Sequence, residues 1–190
     1  MGIKKAIFLD RDGVVNKRLI DDYVKRWDEF RFMPGVVEVL PDIHAEGYLV
    51  ILITNQRGIG RGVMTRNDLH QIHRRMQEDL LIRTGHQFDA MYVCSHDNSD
   101  GCDCRKPAPG MLLHAAKEFQ LDLQESWMIG DSESDIEAGI NAGCRTAKIG
   151  SKGDSTKATI SETDLRSVWN ALKALGSRLH PIQMQESKDR

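Results

Sequence analysis

The sequence predicts an α/β fold: an open, doubly wound parallel sheet with helices on both faces. Short apolar runs alternate along the chain with longer segments of helical period. Most of those runs are too uniformly apolar for a sheet with one face in water, which points to buried parallel strands. The 190 residues, 40% hydrophobic and 28% charged, suit one globular domain with a sizeable core and argue against fibrous or disordered chains.

Taken in order, strands are expected at Ala6 to Leu9, Leu49 to Ile53, Ala90 to Cys94, Trp127 to Ile129 and Arg145 to Ile149. Helical patterns fit 36–46, 109–119 and 134–142. Thr65 reads as the N-cap of a further helix that carries Leu69, Ile72, Met76 and Leu80 on one face. Gly58 to Gly62 reads as a glycine-rich turn, since it lacks the Lys-Ser/Thr of a nucleotide loop. Ser151 to Thr159 reads as a loop, and Leu165, Val168, Trp169, Leu172 and Leu175 recur as a last helix that stops near Gly176. One domain is expected over 1–180, with 181–190 as a polar tail. Cys144 and Trp169 read as core, and His70 and His73 as surface or packing residues.

Several function classes are disfavoured. The net charge is −2 and the basic residues are scattered, which gives no field for nucleic acid. No apolar run approaches the roughly 20 residues of a membrane span. The first apolar stretch stops at Asp10, so no signal peptide is expected and the cytoplasm is the expected compartment. No heptad seam is visible, and a monomer is expected.

The residues with chemistry cluster where strands end. Asp10 and Asp12 close the first strand, and paired carboxylates there can divide the work of nucleophile or metal ligand and general acid/base. Thr54 and Asn55 follow the second strand, Arg105 and Lys106 the third, and Asp131 the fourth, with Asp135 one helical turn on. In a parallel sheet these ends share one edge, where ligands bind. Concentrated carboxylates call for a hard cation, and Mg²⁺ with a phosphate ester satisfies the whole set. A second cluster, Cys94, His96, Cys102 and Cys104, offers three thiolates and an imidazole, the ligand set of a closed structural zinc site. Its expected task is to fix the loop that presents Arg105 and Lys106.

Asp10-Arg11-Asp12-Gly13, Thr54-Asn55-Gln56, Arg105-Lys106-Pro107 and Gly130-Asp131, in this order, resemble the four motifs of the haloacid-dehalogenase-like phosphatases. The zinc-like insert directly before Arg105 makes the chain similar to the heptose bisphosphate and histidinol phosphate phosphatase subgroup, over about residues 6–150. The resemblance implies a Rossmann-like sheet without a separate cap domain, with the zinc loop at 94–104. It implies Asp10 as nucleophile and Asp12 as acid/base, with Thr54 and Lys106 on the phosphoryl group. Mg²⁺ would be held by the Asp10 carboxylate, the Asp12 main-chain carbonyl and Asp131, with Asp135 orienting a bound water or simply starting its helix. Asp22, Tyr23, Asn55, Gln56, Arg57 and Arg105 are the expected substrate contacts, and Lys17 to Phe32 the flap. Arg57 and Arg61 are placed to meet a second phosphate.

Three departures bear on substrate choice: Ser132 where heptose enzymes typically carry lysine, Arg57 where a small residue is common, and a short insert between His96 and Cys102. The expected reaction is removal of the 7-phosphate from D-glycero-D-manno-heptose 1,7-bisphosphate, a small phosphorylated sugar, toward heptose-bearing glycans such as lipopolysaccharide. Histidinol phosphate hydrolysis is the alternative. A polynucleotide 3′-phosphatase and a non-catalytic zinc module are more distant ones.

Overall fold

A computed structural model describes residues 4–151 and 154–179. Its centre is a parallel sheet of β1 (Lys5–Leu9), β2 (Tyr48–Asn55), β3 (Ala90–Cys94), β4 (Trp127–Gly130), β5 (Arg145–Ile149) and β6 (Ile160–Glu162). The spatial order is β3-β2-β1-β4-β5-β6. The order reverses beside β1, so the chain ends of β1 and β4 flank the crevice where a doubly wound sheet takes its ligand.

Alternation along the strands sorts the core into two layers. Ile7 and Leu9 of β1, with Val50 and Leu52 of β2, face α1 (Val36–Ala45), α3 (Arg66–Thr84) and α6 (Leu165–Leu179). Ala6, Phe8, Ile51 and Ile53 face α4 (Gly110–Phe119) and α5 (Glu133–Ala142). Both layers are dry at the central strands, where Ile7 and Phe8 are fully buried. Burial of each such side chain stabilises the fold by roughly 1.5–3 kcal/mol over exposure. A central strand so fixed is a rigid mount for the residue that follows it.

The five expected strands and the five expected helices are present, and Cys144 and Trp169 are buried as expected. Three features differ. β6 was not predicted, because three residues are too few to show a period; it is held at the sheet edge by its pairing with β5. The glycine-rich turn contains a helical turn, α2 (Arg57–Gly60), closed by hydrogen bonds from Arg61 and Gly62 to the Arg57 and Ile59 carbonyls. α6 runs through Gly176 to Leu179, since an interior glycine weakens a helix without ending it. The expected tail, 181–190, lies outside the described residues.

His73 of α3 is 5% exposed. Burial first and the Arg11 charge second push its pKa down to about 3, so the folded protein holds it neutral. The unfolded chain takes up that proton below about pH 6.5, so stability is full above that pH and falls by up to about 1.4 kcal/mol per unit below it. Between pH 7 and 5 the wild type should therefore lose about 2 kcal/mol more than His73→Gln. Urea unfolding at the two pH values measures this, and equal losses would refute it.

Candidate active site

Lys106 organises the site. Its ammonium lies 2.6 Å from Asp10 Oδ1 and 2.6 Å from Asp135 Oδ1, and it donates to the Ile53 carbonyl at 2.9 Å. All three N–H groups are thus used within the chain. Asn55, the last residue of β2, exchanges hydrogen bonds with the Lys106 main chain at 3.1 and 3.2 Å, so the strand end sets the height of the lysine. Burial alone would lower the Lys106 pKa, but the charges of Asp10 and Asp135 outweigh it and hold the lysine protonated. Burial, with Asp135 and Asp12 nearby, pushes the Asp10 carboxyl up against the pull of Lys106. Asp131 is likewise raised, by burial first and the Asp135 charge second.

Asp12 stands in a different setting. Its carboxylate accepts from Arg11 Nη2 at 2.9 Å, Asn16 Nδ2 at 3.0 Å and Gln56 Nε2 at 2.9 Å. Burial alone would raise it; the Arg11 charge and these three hydrogen bonds win and hold the carboxyl below the usual range. Gly13 follows with φ 101°, and a Cβ there would lie 2.1 Å from Asp131 Oδ2, so only glycine lets this turn close on the neighbouring carboxylate.

These groups form the floor of an open cavity of about 570 Å³. Asn55, Arg57 and Arg105 line it as expected, with Asp22 and Tyr23 from the flap, and Arg61 stands beside them. Arg57 and Arg61 both pair with Asp97, the second of them at 3.4 Å. Arg105 donates to the His96 carbonyl at 3.3 Å. The flap closes on itself where Lys17 N meets the Arg31 carbonyl at 2.8 Å, and it is anchored by buried Val24 and Phe30. Tyr23 rests over Gly58, where a Cβ would come within 3.1 Å of the ring.

Residues 4–143 match the family model "haloacid dehalogenase-like hydrolase". The chain belongs to the haloacid dehalogenase-like hydrolases. It is 45% identical, over 75% of its length and 81% of the relative's, to a D-glycero-beta-D-manno-heptose-1,7-bisphosphate 7-phosphatase of Helicobacter pylori. A D-glycero-alpha-D-manno-heptose-1,7-bisphosphate 7-phosphatase of Mycobacterium tuberculosis is 34% identical, over 92% of this chain and 93% of that one. Among solved structures, a D,D-heptose 1,7-bisphosphate phosphatase from B. bronchiseptica, complexed with magnesium and phosphate, superposes with a TM-score of 0.82 at 35% identity, over 90% of this chain and 99% of that one.

Asp10 and Asp131 directly follow β1 and β4, and Asp135 lies in the first turn of α5. The carboxylates of Asp10, Asp131 and Asp135 lie within 4.8 Å of one another, a hard oxygen donor set in which Lys106 pairs with Asp10 and Asp135 and the exposed Arg18 faces Asp131 at 3.4 Å. Burial first raises the Asp10 and Asp131 carboxyls, and three carboxylates against one buried lysine leave a set that a divalent cation fits. Asp135 is largely committed elsewhere: Oδ1 pairs with Lys106, and Oδ2 accepts from Ser132 N at 3.1 Å and Ser132 Oγ at 2.6 Å in a capping box of α5.

The second cluster is also assembled. Cys94 Sγ lies 3.7 Å from Cys102 Sγ and 3.6 Å from His96 Nδ1, which is 3.3 Å from Cys104 Sγ. Ligand bonds of about 2.3 Å arranged tetrahedrally put ligand atoms roughly 3.8 Å apart, so the four atoms suit one tetrahedral ion. The loop packs on α2 so closely that a Cβ at Gly60 would lie 2.7 Å from the Ser95 carbonyl oxygen.

Two of the expected site residues do not line the cavity. Gln56 is 1% exposed and does not line the cavity; its amide binds Asp12 and, at 2.8 Å, Thr54 Oγ1. Thr54 is buried below the floor rather than lining it, because its hydroxyl packs against Gln56. Sequence reasoning missed Arg18, Asp97 and Arg11. Arg18 and Asp97 sit in loops without a period, whereas the odd charge of Arg11 between two aspartates was visible.

Proposed function

We propose that this hydrolase removes the 7-phosphate of D-glycero-D-manno-heptose 1,7-bisphosphate through a phosphoryl-enzyme intermediate on Asp10. The observation that supports it most is the buried Asp10–Lys106 pair, 2.6 Å apart, at the floor of a cavity whose wall carries Arg57, Arg61 and Arg105. A carboxylate nucleophile backed by a fixed cation suits the phosphoryl group to be transferred, and the arginines suit a second phosphate on the same sugar. The names of the relatives favour the heptose substrate over histidinol phosphate.

The Asp12 carboxylate, ionised in the free protein, takes a proton from solvent as the anionic substrate binds beside it; Asp10 Oδ then attacks phosphorus as the bond to the sugar oxygen breaks, and Asp12 passes that proton to the leaving oxygen. The Asp12 carboxylate then takes a proton from water, whose oxygen attacks phosphorus; inorganic phosphate leaves and Asp10 is restored. Lys106 exchanges one of its contacts for a phosphoryl oxygen and neutralises charge there. The Asp10 carboxylate, the Asp12 main-chain carbonyl and Asp131 would hold magnesium, which would supply further charge neutralisation. Cys94, His96, Cys102 and Cys104 would hold zinc, which would fix the loop that carries Arg105.

Phosphate release from the α and β anomers and from histidinol phosphate, with Mg²⁺ present, tests the substrate. A kcat/KM at least about 100-fold higher for one heptose anomer is expected, since a second phosphate held by charge-assisted bonds contributes about 3 kcal/mol. Equal or faster turnover of histidinol phosphate would overturn the assignment. Arg57→Ser should raise KM for the bisphosphate about tenfold, the loss of about 1.4 kcal/mol of phosphate binding, and leave a sugar monophosphate unaffected. Steady-state kinetics on both substrates read this directly.

A further inference from the structure

Arg11 is fully buried, yet only one of its guanidinium nitrogens has a partner. Nη2 lies 2.9 Å from both oxygens of Asp12, while Nε and Nη1 are buried without an acceptor among the described residues. Asp12 is its one ion-pair partner among them. Its main-chain carbonyl accepts from Val15 N and Asn16 N, both at 2.9 Å, and that contribution to the turn needs no guanidinium. A charge held in the core with two N–H groups unpaired among the described residues is costly, and an apolar side chain of the same length would pack there more cheaply. What the guanidinium supplies is one nitrogen set between the two Asp12 oxygens. Asn16 and Gln56 hold the same carboxylate, one oxygen each.

We propose that Arg11 is a positioning residue for proton transfer: it fixes the Asp12 carboxyl at the height where it meets the leaving oxygen of the substrate. The inference rests on the role given to Asp12 in the proposed function. It adds that the acid is aimed from beneath, by a buried charge that never touches the substrate.

A sugar alkoxide leaves only with a proton, whereas a phenolate of low pKa leaves without one. The test is therefore kcat/KM, which reports steps up to leaving-group departure, on heptose 1,7-bisphosphate and on an aryl phosphate with an acidic phenol. Wild type, Asp12→Asn, Arg11→Met and Arg11→Lys are compared. Arg11→Met should lose about 10- to 100-fold on the heptose substrate and less than about threefold on the aryl phosphate, a smaller copy of the Asp12→Asn split. Arg11→Lys keeps the charge and should lose less on the heptose substrate with the aryl rate unchanged, which keeps the test open should the Met variant fail to fold. Equal losses of an Arg11 variant on both substrates, or no loss on either, would overturn the inference while leaving Asp12 in its role. An inactive wild type, or no split in Asp12→Asn, would remove the proposed function and this inference together.

Discussion

Asp10→Asn is expected to lose turnover by on the order of 10⁴-fold or more, because the amide keeps the shape of the carboxylate but cannot form the phosphoryl-enzyme bond. Lys106 retains Asp135 and the Ile53 carbonyl as partners, so the loss belongs to chemistry and not to collapse of the floor. Asp12→Asn should cost about 10²- to 10⁴-fold, and mostly with poor leaving groups. The two variants differ in what accumulates. After acid quench of an aryl-phosphate reaction, labelled phosphoenzyme should build up in Asp12→Asn, where water lacks its base, and be absent in Asp10→Asn. Label on Asp10→Asn, or residual turnover above about one part in a thousand of wild type, would remove Asp10 as the nucleophile.

Removing the metal of the Cys94, His96, Cys102 and Cys104 cluster should have the next largest effect. Elemental analysis is expected to find one zinc ion per chain. Stripping it with a strong chelator should lower kcat/KM by about 10- to 100-fold, the usual cost of losing the support behind an active-site group. The reason is connectivity: Arg105 bonds the His96 carbonyl, and Asp97, next in sequence, holds Arg57 and Arg61. The central sheet has its own core, so far-UV circular dichroism should change little while the melting temperature falls. Zn²⁺ should restore activity in the presence of Mg²⁺, and Mg²⁺ alone should not. Full recovery with Mg²⁺ alone would remove the loop from the function.

Much of this was readable from sequence for a simple reason. Asp10, Asn55 and Asp131 sit at or just past strand ends, and a parallel sheet gathers such ends on one edge whatever the details of packing. The cysteine and histidine spacing carried the same force, since few other arrangements explain it. Sequence proximity failed at Gln56, one residue past β2, because nothing in the pattern tells whether a side chain rises into the cavity or turns beneath it. It failed again at Asp97, whose partners Arg57 and Arg61 are about forty residues away and meet it only through the β2–β3 pairing. β6 was hidden because its three residues are recruited by the edge of β5 rather than by a pattern of their own.

The flap that begins and ends at one hydrogen bond, Lys17 N to the Arg31 carbonyl at 2.8 Å, is a cassette. Its insertion points sit side by side, so its length and sequence can change without moving β1 or the aspartates that follow it. Asp22 and Tyr23 ride on this cassette, whereas Asp10 and Asp12 do not. If the proposed roles hold, substrate choice would be free to drift across generations while the chemistry stayed fixed, and grafting the segment between relatives would exchange one without rebuilding the other.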